Sequence, residues 1–120
     1  MFQNCPELNT LLLNYNALSS LDLSGNHKLG NVECTNNQIQ NVTFSQNDSL
    51  YRFVANANHI NALDISPLPN LSIIELTQNA LNSFDISQNP RVFWMYLDNN
   101  DLYSLNLANG YNSLIRKLYS

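Results

Sequence analysis

The stretch Leu71 to Arg91, LSIIELTQNALNSFDISQNPR, is one unit of 21 residues, and the same unit starts at Leu8, Leu29, Leu50, Leu71 and Val92 with no insertion between copies. A fixed period of this length constrains the chain to a solenoid. Each unit is one supersecondary piece that cannot bury its apolar face alone, so neighbours must stack into a continuous column. Three or more copies are needed for that, and five are present. At 120 residues the chain is expected to form one domain over 1–120, with an irregular end over 108–120.

Within the unit, positions 1, 4, 6, 11, 14 and 16 are apolar in every copy. The first copy places Leu8, Leu11, Leu13, Leu18, Leu21 and Leu23 there, and the second Leu29, Val32, Cys34, Ile39, Val42 and Phe44. The third has Leu50, Phe53, Ala55, Ile60, Leu63 and Ile65, and the fourth Leu71, Ile74, Leu76, Leu81, Phe84 and Ile86. The fifth has Val92, Met95, Leu97, Leu102, Leu105 and Leu107. The chain as a whole is only 44% apolar, so this ladder is the predicted core. Positions 4 and 6 alternate as in a short strand with its even members turned inward.

Position 9 is Asn16, Asn37, Asn58, Asn79 and Asn100 without exception. A carboxamide offers two donors and an acceptor. At a bend it can satisfy backbone groups of its own and the adjacent coil that burial would otherwise leave unpaired. Stacked in register, these residues are predicted to form an asparagine ladder.

The spacing L-x-x-L-x-L-x-x-N-x-L, followed by L-x-x-L-D-L-S-x-N as in LSSLDLSGN, LNSFDISQN and INALDISPL, resembles the leucine-rich repeat proteins. The 10-plus-11 division is similar to the bacterial 21-residue class (IRREKO-like) and to internalin-like arrays. The resemblance covers Leu8 to Asn109. It implies a leucine-rich repeat solenoid, an α/β superfold that is β-rich here: a curved right-handed coil with a parallel concave β-sheet and short strands or turns on the convex side. Departures fall at Leu68 and Gly110, where Asn26, Asn47 and Asn89 predict a second asparagine, and at Thr43 and Asn106, which replace the aspartate of Asp22, Asp64 and Asp85.

After Leu107 the frame breaks. Ile115 and Leu118 stand two residues late for positions 1 and 4, and LNLANGYNS resembles the final-repeat region of secreted bacterial arrays. The plainer expectation is a terminal helix over NSLIRKLYS, capped at Asn112 or Ser113 and packing Leu114, Ile115 and Leu118 onto the column. Because no polar cap precedes the first repeat, the chain is expected to be part of a longer array, and its bare ends are expected to permit end-to-end self-association. Cys34 falls on a core position and Cys5 in a turn more than one repeat away, so free thiols are expected.

Several function classes fit poorly. Net charge is −4, and Lys28, Arg52, Arg91, Arg116 and Lys117 are scattered, whereas a nucleic-acid surface needs clustered cations. No run is apolar for long enough to span a membrane, and MFQNCPELNTLLL lacks the pattern of a signal peptide. The resemblance nonetheless implies an extracellular or cell-surface location. No nucleophile, phosphate-binding or zinc motif is present, so neither an enzyme nor a cofactor is expected. His27 and His59 fall at bends and are expected to face water. The aspartates at position 15 are expected to solvate the convex turns rather than bind a cation, since a hard cation wants six or more oxygens.

Positions 3, 5 and 7 alternate with the buried pair and should line the concave face. Along it, position 3 reads Thr10, Asn31, Arg52, Ile73, Trp94; position 5 reads Leu12, Glu33, Val54, Glu75, Tyr96; position 7 reads Asn14, Thr35, Asn56, Thr77, Asp98. Ile73, Trp94 and Tyr96 are expected to cluster, flanked by Tyr51 and Phe93 and edged by Arg52, Glu75 and Asp98. Trp, Tyr and Arg are the residue types enriched at interface hot spots. The leading expectation is a non-enzymatic module that binds a protein through this face. The alternatives are a spacer or adhesin segment of a larger exported surface protein, or a carbohydrate binder in which the aromatics stack on a sugar.

Overall fold

The computed structural model describes residues 2–110 and 117–119. Ten strands of three residues follow one another in chain order: β1 Thr10–Leu12, β2 Ser20–Asp22, β3 Asn31–Glu33, β4 Asn41–Thr43, β5 Arg52–Val54, β6 Ile73–Glu75, β7 Ser83–Asp85, β8 Trp94–Tyr96, β9 Ser104–Asn106 and β10 Lys117–Tyr119. Strands β1, β3, β5, β6, β8 and β10 form one six-stranded parallel sheet, the concave face of the solenoid. Its register repeats the sequence period, with Thr10, Asn31, Arg52, Ile73 and Trp94 aligned in one row. On the opposite side β2 pairs with β4, and β7 with β9. The short coil leaves no room for a crossover helix, and none occurs among the described residues.

Every residue of the predicted apolar ladder lies in one continuous core or packs against it. The fourth coil, with a neighbour on each side, buries all six of its members, whereas Leu8, Leu13 and Leu18 of the first coil and Leu102, Leu105 and Leu107 of the fifth are only partly covered. Stacking accounts for the first and fifth coils, whose convex halves are covered on one side among the described residues; Val42, Phe44 and Leu63 of the inner coils are also only partly covered. Cys34 is fully buried, and burial pushes its thiol up to about 12, so it behaves as a small hydrophobe. Cys5 is exposed in the first turn, and both thiols are free.

The asparagine ladder forms with the same geometry at each bend. Asn58 Nδ2 donates to the carbonyls of Cys34 in the preceding coil (3.0 Å) and Ala55 in its own (3.2 Å). Its Oδ1 accepts the backbone N–H of Ile39 at 2.9 Å. Asn37, Asn79 and Asn100 repeat this pattern, while among the described residues Asn16 bonds to Leu13 and Asn14 of its own coil. The residue before each ladder asparagine is left-handed: Tyr15, Asn36, Ala57, Gln78 and Asn99 have φ between 54° and 60°. This column turns the chain out of the concave strand. It carries no glycine, and only Asn36 and Asn99 are of a type that favours this region.

Two expectations are corrected. The terminal helix expected over 112–120 is not what the described part shows: Lys117–Tyr119 is a strand parallel to β8, with Leu118 opposite Met95. The two-residue-late apolar spacing therefore prevails over the helix, because β8 offers an open hydrogen-bonding edge; Asn112, Ser113, Leu114 and Ile115 lie outside the described residues. At the second asparagine position, Gly110 yields the role to Asn109, one residue earlier, which is buried and donates to the carbonyl of Asn89 at 3.0 Å.

Replacing Asn58 with alanine leaves the buried N–H of Ile39 without its acceptor and takes one of two amide donors from each of the Cys34 and Ala55 carbonyls, which keep Asn37 and Asn79; it is expected to cost about 2 kcal/mol in urea unfolding, against less than about 1 kcal/mol for Asn16→Ala. At the left-handed column, Ala57→Gly is expected to stabilise by about 0.5–1 kcal/mol in the same measurement, because a side chain at this φ is disfavoured.

Candidate functional site: the concave sheet

The concave sheet is built from three outward rows, since positions 3, 5 and 7 alternate with buried residues on a pleated strand. The structure puts Arg52, Ile73 and Trp94 in one row and Val54, Glu75 and Tyr96 in the next. Trp94 and Tyr96 meet edge to face, with ring centroids 5.6 Å apart and planes at 74°, and both are half-buried. Ile73 lies opposite Trp94, and Glu75 opposite Tyr96. Asp98 is half-buried one pleat further along. Aromatic pairs of this geometry contribute about 0.5–1.5 kcal/mol beyond area burial, so the pair is held in place before any partner arrives.

Other members of the expected cluster are turned elsewhere. Arg52 reaches toward the N-terminal coils, where its Nη1 donates to Glu33 Oε1 and to Asn31 Oδ1 (3.1 Å). Tyr51 is half exposed and its ring rests on the second coil: a β-carbon at Gly30 would lie 3.2 Å from Tyr51 Cε1. A side chain at Gly30 would crowd the ring in this position. Val54, expected to face solvent, is only 7% exposed.

The Glu33 carboxylate gathers several donors. Besides Arg52, Asn14 Nδ2 donates to its Oε2 at 3.3 Å and Asn31 Nδ2 to its Oε1 at 3.5 Å. The Arg52 hydrogen bond, aided by these amides, holds the Glu33 carboxyl below its ordinary 4.5, against a smaller opposing effect of burial. Glu75 has the corresponding amide contact, from Asn56 Nδ2 at 3.2 Å.

On the convex side, Asp22, Asp64 and Asp85 each accept the backbone N–H two residues on, from Ser24 (3.0 Å), Ser66 (2.9 Å) and Ser87 (2.7 Å). Asn106 does the same for Ala108 at 3.0 Å. These bonds close local turns, which is the structural role expected of position 15. Hydrogen bonds from the Ser24 and Ser87 side chains, and then from their backbone N–H groups, lower the Asp22 and Asp85 carboxyls below the usual aspartate value. His27 and His59 are exposed, as expected.

Two surface features lacked a sequence signal. The convex sheet breaks at the third coil, leaving a groove of about 350 Å3 lined by Ala62, Leu63, Asp64, Ser83, Phe84 and Asp85. A hollow of about 330 Å3 lies by the fifth coil among Leu97, Asn100, Leu102, Tyr103, Ser104 and Leu105. Exposure of large apolar residues is greatest at Tyr103, Tyr15 and Leu12, none of which belongs to the expected cluster.

This fold, with its stacked coils, parallel sheet and asparagine ladder, is that of a leucine-rich repeat protein. The functional domain of InlJ from Listeria monocytogenes, which includes a cysteine ladder, is 25% identical, with a TM-score of 0.86, over 98% of this chain and 25% of that one. Here the bends are tied by asparagine, and the two cysteines do not stack. The APL1 leucine-rich repeat domain aligns with a TM-score of 0.65 at 24% identity, over 88% of this chain and 34% of that one. A chain of the LRIM1/APL1C complex aligns with a TM-score of 0.72 at 22% identity, over 98% and 26% respectively. The chain thus spans between a quarter and about a third of the length of the solved proteins it matches. No family model matches it, and no curated protein does. The structural neighbours are repeat domains, a setting consistent with a non-enzyme.

A carboxyl held below its ordinary value stabilises the fold above that value and loses the contribution as pH falls through the depressed one. Arg52→Met is therefore expected to bring the Glu33 carboxyl back up toward 4.5. Carboxyl-detected NMR titration reads that rise, and the variant's stability should fall less steeply with acid than that of the parent.

Proposed function

We propose that the chain is a protein-binding module that docks its partner on the C-terminal half of the concave sheet. The observation that carries this reading is the Trp94–Tyr96 edge-to-face pair, half-buried on an outward row beside Ile73. A preset aromatic pair presents large contact area at low entropic cost, and such residues are enriched where interface energy concentrates. Glu75 and Asp98 edge the pair and give orientation. The likeness to repeat domains, one of them in a complex, supports a protein as the partner.

The test is selection of binders from a displayed random-peptide library, followed by measurement of their affinity for a Trp94→Ala/Tyr96→Ala double variant. Affinity is expected to fall by about a hundredfold or more, as for hot-spot truncations, while circular dichroism stays that of the parent. Binders that keep their affinity would reject this face.

A further inference from the structure

Across the first four coils, positions 5 and 7 of the concave face repeat every second coil, not every coil. Position 5 carries glutamate only in the second and fourth coils, Glu33 and Glu75, and position 7 carries asparagine in the coil before each, Asn14 and Asn56. The two carboxylates are set in the same way. Asn14 Oδ1 accepts the Thr35 N–H at 2.7 Å and its Nδ2 donates to Glu33; Asn56 Oδ1 accepts the Thr77 N–H at 2.8 Å and its Nδ2 donates to Glu75. Each amide is pinned by backbone and each holds one carboxylate oxygen.

The difference lies in the next coil. Nineteen residues after Glu33 stands Arg52, whose guanidinium bonds the carboxylate and Asn31. The register puts Trp94 in the same relation to Glu75, and Ile73 where Asn31 stands. Among the described residues the ion pairs are Lys28–Glu7 and Arg52–Glu33, and Glu75 is in neither. Lys117 lies in register with Trp94, two strands from Glu75. Glu75 is thus a half-buried carboxylate, oriented as Glu33 is, with an indole in place of the arginine.

We propose that an arginine side chain of a protein partner supplies that cation, its guanidinium lying over the Trp94 ring and donating to Glu75, with Asp98 adding to the field. This deepens and rests on the concave face as the docking surface. Three arguments converge on arginine. The intramolecular Arg52–Glu33 contact shows that the same carboxylate geometry accepts a guanidinium. A planar guanidinium stacks on an indole face while pairing with a carboxylate, which an ammonium does less well. The chain's net charge of −4 favours a basic partner.

Trp94 is the chain's one tryptophan, so its emission reports on the site directly. The probe is a Gly/Ser peptide carrying two arginines, titrated beside its citrulline counterpart, which keeps shape and loses charge. The expected result is a saturable change in Trp94 emission with the arginine peptide and binding weaker by about tenfold or more with citrulline. Glu75→Gln should weaken the arginine peptide by a similar factor, and Asp64→Asn, the same charge change on the convex face, should leave it unaltered. Equal binding of the two peptides, equal loss in the two variants, or no emission change would overturn the inference. If selected binders still need Trp94 and Tyr96 yet ignore Glu75→Gln, the concave docking reading stands and the arginine inference alone fails.

Discussion

The solenoid depends on satisfying the backbone at its bends. A coil that turns twice in 21 residues points carbonyls and N–H groups into the column where no water reaches, and every such group left unpaired costs about 1–3 kcal/mol. The position-9 asparagine answers two carbonyls and one N–H at once, in two different coils, as Asn58 does for Cys34, Ala55 and Ile39. It is therefore both the bend and the joint between coils. Leucines fill the column, but their packing is permissive; the amide geometry is what sets the coils in register.

At the second bend one coil lacks this joint. Asn26, Asn47 and Asn89 tie the bend to their neighbours, and Asn109 extends the row. In the third coil Leu68 takes the place, buries fully and brings no amide, while the adjacent Pro67 offers no N–H. The convex sheet breaks in this same coil, and the groove beside Leu63 and Phe84 opens there. The concave sheet runs through unbroken, because its own bends keep every asparagine.

On that continuous sheet the outward rows vary from coil to coil while the positions between them stay apolar. In the N-terminal half the variable residues neutralise one another, Arg52 bonding Glu33 and Asn31. In the C-terminal half the same scaffold carries Ile73, Trp94 and Tyr96 around Glu75. One backbone thus presents a self-satisfied polar half and an aromatic half edged by carboxylates.

By itself, the amino-acid sequence determined the period, the core ladder, the position-9 asparagines and the three outward rows. These repeat five times, so each is a pattern in one dimension whose physical meaning comes from strand alternation and bend chemistry. Contacts between coils were decided only in three dimensions. That Arg52 turns toward Glu33, that Tyr51 lies on Gly30, and that Asn109 takes the second-asparagine role one residue before Gly110 all depend on residues about one coil apart. The left-handed column at Tyr15, Asn36, Ala57, Gln78 and Asn99 was hard to read for another reason: closure of the coil imposes the conformation even at Tyr15, Ala57 and Gln78, which do not favour it. At Lys117–Tyr119 local helical spacing competed with the open edge of β8, and the edge prevailed because hydrogen bonds to an existing sheet outweigh those of a short isolated helix.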